Sequence, residues 1–408
     1  MSRPAIYTHR DFMLLWSGNA TSVAGFHCVR IAYPLLALSI TESAALAGWV
    51  GFAISAPSLI FQLPAGIAAD YSDRRRILLG CQLIGLVAAC AAALVVVFRL
   101  PNPGPVLVAT AFVEGTIFVF FNVVELAAIR DIVDVEQRPA AFSFFEAEQP
   151  IGLVVGRAVG AAIYAVARWL PFVVNAVSYV CCLATLWAIR GRFAQRSAPR
   201  QQTNDASRWR VRDGARIVWT EPLLRASTMI SGASNVVIQV AILLTILRIE
   251  RSGRPVWTVG IVLGAAGVGG VLGSFAASWL TARFGSLRIY RGTLWAWTVL
   301  LLPIAASSNP LVLGIAWFGV GGVGTVVNVA MTIYKVNVVP EDTLGRTFGT
   351  VAMANGGAVA LGSLLAGYLL SVFGTTTTGW ALVGVMLIAA VVGSCVGNPA
   401  QRLTAPLH

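Results

Sequence analysis

Twelve apolar stretches follow one another along this chain, and no other feature so narrows what it can fold into. They run over residues 12–39, 46–69, 77–98, 105–128, 139–167, 171–189, 223–247, 257–281, 289–307, 310–334, 347–371 and 379–397. Each is about as long as the twenty or so residues an α-helix needs to cross the hydrocarbon core of a bilayer. In lipid the backbone must bond to itself, and a helix does so within its own segment. The expected fold is therefore an all-α integral membrane protein with twelve transmembrane helices. Composition agrees: 57% of the 408 residues are hydrophobic and 11% are charged, unlike any soluble globular chain.

An even number of spans puts both termini on one side, and the basic residues choose the side. Twenty Lys and Arg residues lie in the N-terminus, the loops after spans 2, 4, 6, 8 and 10, and the tail. The opposite loops hold five: Arg99, Arg168, Arg248, Arg251 and Arg254. The positive-inside rule then predicts a multi-pass protein of the cell membrane with both termini cytoplasmic. The net charge of +12 is accounted for by topology and anionic lipid head groups, so no nucleic-acid partner is expected. Trp49, Trp169, Trp187, Trp257, Trp279 and Trp380 fall near span ends, where an interfacial belt places them. The six cysteines all fall in apolar segments, without framework or metal spacing, and no disulfides, metal or cofactor are expected. Nothing at the N-terminus reads as a removed leader.

The one long polar break, Arg190–Glu221, divides six spans from six. Three parts are expected: a six-helix bundle over 1–190, a cytoplasmic linker over 191–222, and a second bundle over 223–408. Val211, Ala215 and Val218 recur at helical spacing among arginines, which suits a helix lying on the inner membrane surface. The halves also share landmarks. Thr281-Ala-Arg-Phe-Gly-Ser-Leu-Arg288 stands after span 8 where Gly66-Ile-Ala-Ala-Asp70-Tyr-Ser-Asp73-Arg74-Arg75-Arg76 stands after span 2. Two six-helix pseudo-repeats meeting at a cavity are a transporter architecture.

That second landmark resembles the loop between the second and third helices of major facilitator transporters, usually Gly-x-Leu-x-Asp-Arg-x-Gly-Arg-Arg. Gly66, Asp70, Arg74 and Arg75 match, with Tyr71 in place of the usual Arg and Asp73 in place of the usual Gly. The resemblance makes these residues a conformational switch. Gly66 is expected to let two backbones approach, and Arg74 or Arg75 to pair with Asp131 or Asp134. His9-Arg-Asp-Phe-Met-Leu-Leu-Trp-Ser-Gly18, Ala32-Tyr-Pro-Leu-Leu36, Gln62-Leu-Pro-Ala-Gly66, Ala140-Ala-Phe-Ser143 and Leu170-Pro-Phe-Val173 are similar to the macrolide-efflux and enterobactin-exporter branch, the third drug:proton antiporter family. The resemblance implies a monomer that exports a hydrophobic drug-like or siderophore-like small molecule in exchange for protons. Two departures matter. The span-5 antiporter signature, normally Gly-x-x-x-Gly-Pro-x-x-Gly-Gly, reads Gly152-x-x-x-Gly156-Arg157-x-x-Gly160-Ala161. The Arg-x-x-Gln-Gly of span 4 reads Ala111-Phe-Val-Glu114-Gly115.

Ionisable groups inside spans are costly and face a cavity or each other. Glu114, Phe118, Phe121 and Glu125 share one face of span 4, and Asn122 belongs to the same candidate site. Asn19, Ser22, Phe26, Arg30 and Tyr33 share a face of span 1. Arg30, Glu114 and Arg157 lie at nearly one depth. They form either a site for a substrate anion or a proton, or an interhelical ion pair that fixes packing. Glu114 is the expected coupling residue, exchanging Arg30 or Arg157 for a proton. In the second half Asn235, Gln239 and Asn328 form either a hydrogen-bonding wall for substrate or plain helix–helix bonds. Glu146 and Glu148 are expected to pair with loop arginines, and His27 to be a satisfied polar residue. The one lysine, Lys335, lies in no phosphate-binding loop, which excludes ATP hydrolysis. No nucleophile elbow or metal cluster points to an enzyme. The alternative to proton-coupled export is a uniporter or importer of a small organic solute.

Overall fold

Prolines, caps and one left-handed glycine decide where the helices begin, bend and end. The computed structural model describes residues 6–190, 216–339 and 341–395. In chain order the helices are α1 Arg10–Thr41, α2 Ala44–Ser55, α3 Pro57–Ile60, α4 Gln62–Tyr71, α5 Arg74–Val97, α6 Pro103–Ile132, α7 Arg138–Val166, α8 Leu170–Ala188, α9 Pro222–Arg251, α10 Trp257–Phe284, α11 Ser286–Ala306, α12 Pro310–Val338 and α13 Glu341–Cys395. Ten of them are long and apolar enough to cross a membrane, and α2–α4 supply an eleventh crossing, bent by 53°. The bend corrects the continuous helix expected over 46–69. Pro57 and Pro64 have no N–H to continue the ladder, and the chain steps at each. Helix α13 runs through 55 residues but is kinked at Gly374, whose φ of 71° is a conformation that favours glycine. Read as two spans either side of Gly374, it completes the expected twelve. The 191–215 part of the linker, with most of its interfacial helix, lies outside the described residues.

Side-chain caps start the first helices. His9 accepts a hydrogen bond from the Phe12 amide at 3.2 Å, and Ser43 accepts one from Leu46 at 3.2 Å. Asp73 accepts from the amides of Arg75 and Arg76 at 3.0 and 3.3 Å. The residue that departs from the family loop is therefore the N-cap of α5, where a carboxylate meets orphan amides and the positive end of the helix.

The contacts divide the chain into two compact units, residues 1–199 with 254–264 and residues 200–253 with 265–408. In the first, α1 packs on α7 and α8, and α5 and α2 pack on α6. Small residues bring these backbones together. A Cβ at Gly156 would stand 2.6 Å from the Ala24 carbonyl oxygen and from His27 Cβ, and one at Gly160 2.6 Å from the Cys28 oxygen. With Gly152 against Val23, they form the glycine ridge of α7, and it lies on α1. In the second unit α9 packs on α13, and α11 on α12 and α13. There α10 crosses α12 closer still. A Cβ at Gly269 would fall 1.9 Å from the Phe318 oxygen, and one at Gly321 1.8 Å from the Ala266 oxygen. Arg248, buried at the end of α9, donates to the carbonyls of Ile304, Ala305 and Ser307 and so closes the C-terminus of α11. All six belt tryptophans are exposed, as an interfacial position requires.

Candidate functional site

Polar side chains in the first unit form a ladder through the middle of α1, α6, α7 and α8. At one level stands Glu114 of α6, wholly buried. Its Oε2 accepts from Asn175 Nδ2 at 2.9 Å and from the Tyr179 hydroxyl at 3.5 Å, and its Oε1 from the Tyr33 hydroxyl at 3.3 Å. These donors come from α8 and α1, and among the described residues no ion pair joins Glu114 to Arg30 or Arg157. The correction is physical. A shared depth says nothing about azimuth, and at this level Tyr33, not Arg30, is the residue of α1 that bonds Glu114.

One turn further along α6, Phe118 stacks on Phe26 with ring centroids 3.9 Å apart and meets the His27 ring edge-on at 6.2 Å. His27 is buried, and Gln149 of α7 is the polar side chain placed to bond its ring, although no hydrogen bond of full geometry is formed. Its neighbours in charge are Arg30 and Arg157, which act on it and repel each other. Both guanidinium groups belong to half-buried residues. Asn122 follows, donating to the Phe118 carbonyl at 2.8 Å and accepting from Gln149 of α7 at 2.8 Å.

Below it lies a cluster the sequence shows only in part. Asn19 Nδ2 donates to Oε2 of both Glu125 on α6 and Glu148 on α7. The three side chains are 1%, 0% and 1% exposed, and the second oxygen of each carboxyl has no partner. Glu148 is thus not paired with a loop arginine, while Glu146 is exposed. Among the described residues no ion pair reaches either buried acid. A narrow cleft of about 10 Å³, room for a single water, lies beside these groups, lined by Asn19, Ser22, Phe26, Gln82, Phe118, Asn122 and Tyr179 among others.

The basic end of the unit holds the loop motif. Arg74 Nη1 pairs with Asp131, and the same guanidinium donates to the carbonyls of Ala69 at 2.8 Å and Ala127 at 3.2 Å. Arg75 instead donates to the carbonyls of Leu186 and Trp187. Asp70 is exposed. A Cβ on Gly66 would meet nothing within 4 Å, so the close approach expected there is absent among the described residues. In the second unit Asn235 donates to Asn355 at 3.3 Å and Gln239 to Ser363 at 2.8 Å, so both tie α9 to α13. Asn328 is exposed on α12.

Nearly the whole chain, residues 2–402, matches the model of the transmembrane secretion effector family. It is 26% identical over 394 residues to the multidrug efflux pump Tap of Mycolicibacterium fortuitum, across 93% of this chain and 94% of that protein. Among solved structures it is similar to the nucleoside transporter NupG, with TM-score 0.77 at 12% identity over 95% of this chain and 98% of that one. A bacterial homologue of the iron transporter ferroportin, in an inward-facing state, gives TM-score 0.70 at 16% identity over 96% and 99%. At these identities the structural likenesses speak for the fold alone.

Proposed function

The chain belongs to the transmembrane secretion effector family of major facilitator transporters, and from that premise we propose that it exports a small organic molecule across the cell membrane in exchange for protons. Both termini lie in the cytoplasm, and the working unit is a monomer that alternates access between the two sides. The relative named as a multidrug efflux pump supports the direction of transport.

The observation that carries the proton half of the reading is the pair Glu125 and Glu148 on a single Asn19 amide. Two carboxylates so close, out of water and without a cation, repel each other and lose their hydration. The arrangement suits a pair that carries protons while buried and gives them up when water enters. Glu114 suits the task less, because three neutral donors already satisfy it. Substrate and proton then compete through the Asn19 to Asn122 cleft, and the Arg74–Asp131 contact biases one access state.

The test uses protein in liposomes, a set of lipophilic drugs as cargo, and an internal pH dye. Wild-type protein moves drug and protons in opposite directions. The Glu125→Gln, Glu148→Gln double variant should lose gradient-driven accumulation and keep drug-for-drug exchange, which needs no proton. Drug movement in the wild type that leaves internal pH unchanged would replace the antiporter with a uniporter.

A further inference from the structure

Among the described residues, the guanidinium groups of Arg74 and Arg248 are held by partners and those of Arg30 and Arg157 are not. Arg74 has Asp131 and two carbonyls, and Arg248 has three carbonyls. Arg30 and Arg157 stand in the middle of α1 and α7, about 14–17 Å from the nearer helix end at 1.5 Å per residue. Neither has a hydrogen bond or a carboxylate partner among the described residues, and Glu114, the acid at their depth, is bonded elsewhere. The glycine ridge holds them together. Gly156, next to Arg157, has room for no side chain against Ala24 and His27, and Gly160 none against Cys28, two residues before Arg30. Two like charges are thus held near one another in a bundle interior where an unpaired cation is costly. Beside them lies the His27 ring, with Gln149 its nearest polar side chain, and the stacked Phe26 and Phe118 form an apolar wall.

We propose that Arg30 and Arg157, with His27 beside them, bind the acidic group of the cargo, and that this transporter's substrates are amphipathic organic anions whose aromatic or apolar body rests on Phe26 and Phe118. The inference rests on the export reading for the word cargo, while the binding site stands without it. Guanidinium forks match the two oxygens of a carboxylate, or two of those of a phosphate or sulfonate, and such charge-assisted pairs are the strong ones. An anion also removes the repulsion between the arginines, so binding and stability rise together. Cations with the same apolar body, which the efflux of amine drugs would require, meet two positive charges here and are excluded.

Thermal unfolding of the detergent-solubilised protein, at constant ionic strength, reads this directly. The probes are 2-naphthoate, the neutral 2-naphthamide, the cationic 2-naphthylmethylammonium, and inorganic sulfate. Naphthoate should raise the melting temperature more than the amide or the ammonium does, and more than sulfate, which has the charge without the ring. Arg30→Gln and Arg157→Gln should each abolish that excess, and each variant without ligand should melt no lower than the wild type, because a repulsion has been removed. Arg30→Lys and Arg157→Lys, which keep the charge but lose the fork, should retain part of the naphthoate shift and serve if a glutamine variant fails to fold. Equal shifts by all three naphthyl compounds, or a naphthoate shift that survives both glutamine variants, would overturn the site. A sulfate shift as large as that of naphthoate would overturn the organic-anion assignment. Loss of proton coupling in the Glu125, Glu148 variant leaves these readings untouched, so the two ideas fail separately.

Discussion

Replacing Gly156 by alanine should destabilise the first unit, although alanine is the better helix former. The added Cβ would lie 2.6 Å from the Ala24 oxygen and His27 Cβ and 2.9 Å from the Cys28 nitrogen. Carbon atoms rest comfortably at about 3.5 Å, so α7 must back away from α1 by roughly 0.9 Å. Two of the three obstructing atoms are backbone and have no rotamer to escape into. Overpacking of this kind costs about 1–3 kcal/mol, and the helix propensity of alanine over glycine returns at most about 1 kcal/mol. With the full return the net loss is up to about 2 kcal/mol, a fall in melting temperature of up to roughly 8 °C for a body of this size. Gly66→Ala is the control, because a Cβ there meets nothing within 4 Å and should leave the melting temperature unchanged or slightly higher. Both are measured by tryptophan fluorescence during heating in detergent. A Gly156→Ala protein as stable as the wild type, or a Gly66→Ala protein that loses as much, would refute the tight contact between α1 and α7.

Three further outcomes are expected. Glu114→Gln should retain gradient-driven transport in liposomes, since its tyrosine and asparagine partners can bond an amide oxygen, and loss of coupling in a stably folded variant would return Glu114 to the proton path. Arg74→Gln and Asp131→Asn should each lower stability by about 1–2 kcal/mol, with the double variant losing less than the sum, because their side chains are 12% and 11% exposed and solvent screens part of the attraction; additive losses in a thermal double-mutant cycle would deny the pair. Single cysteines at Gln201 and Gly253, in a cysteine-free background, should react with an impermeant maleimide from opposite faces of the membrane, and labelling of Gln201 from outside intact cells would invert the topology.

The spans were legible because length and apolarity are local properties, and the structure places a helix wherever they predict one. The break in the second span was also written in the chain, as Pro57 and Pro64, but an apolar count is blind to it. Asp73 looked like damage to a glycine motif and is instead a cap, which the amides of Arg75 and Arg76 make plain. Glu148 was misread although a signal existed. It stands four, eight and twelve residues before Gly152, Gly156 and Gly160, and so shares the face that lies on α1, where Asn19 waits. Glu114 was harder. Its partners Tyr33, Asn175 and Tyr179 come from two other helices, and only the packing of α8 against α1 tells which of many hydroxyls and amides arrives there.

The crossing of α10 and α12 bears on how this protein is made. Helices of a membrane protein enter the bilayer one by one and associate afterwards, and these steps ask different things of a residue. Alanine at Gly269 or Gly321 leaves each helix as apolar as before, so the translocon should admit it and the cell should accumulate normal amounts of chain. Association is where it fails, since the new methyl would sit 1.9 Å from the Phe318 oxygen or 1.8 Å from that of Ala266. The abundance of such variants on a blot therefore reports insertion and is silent on assembly, which only resistance to protease or a sharp gel-filtration peak reveals.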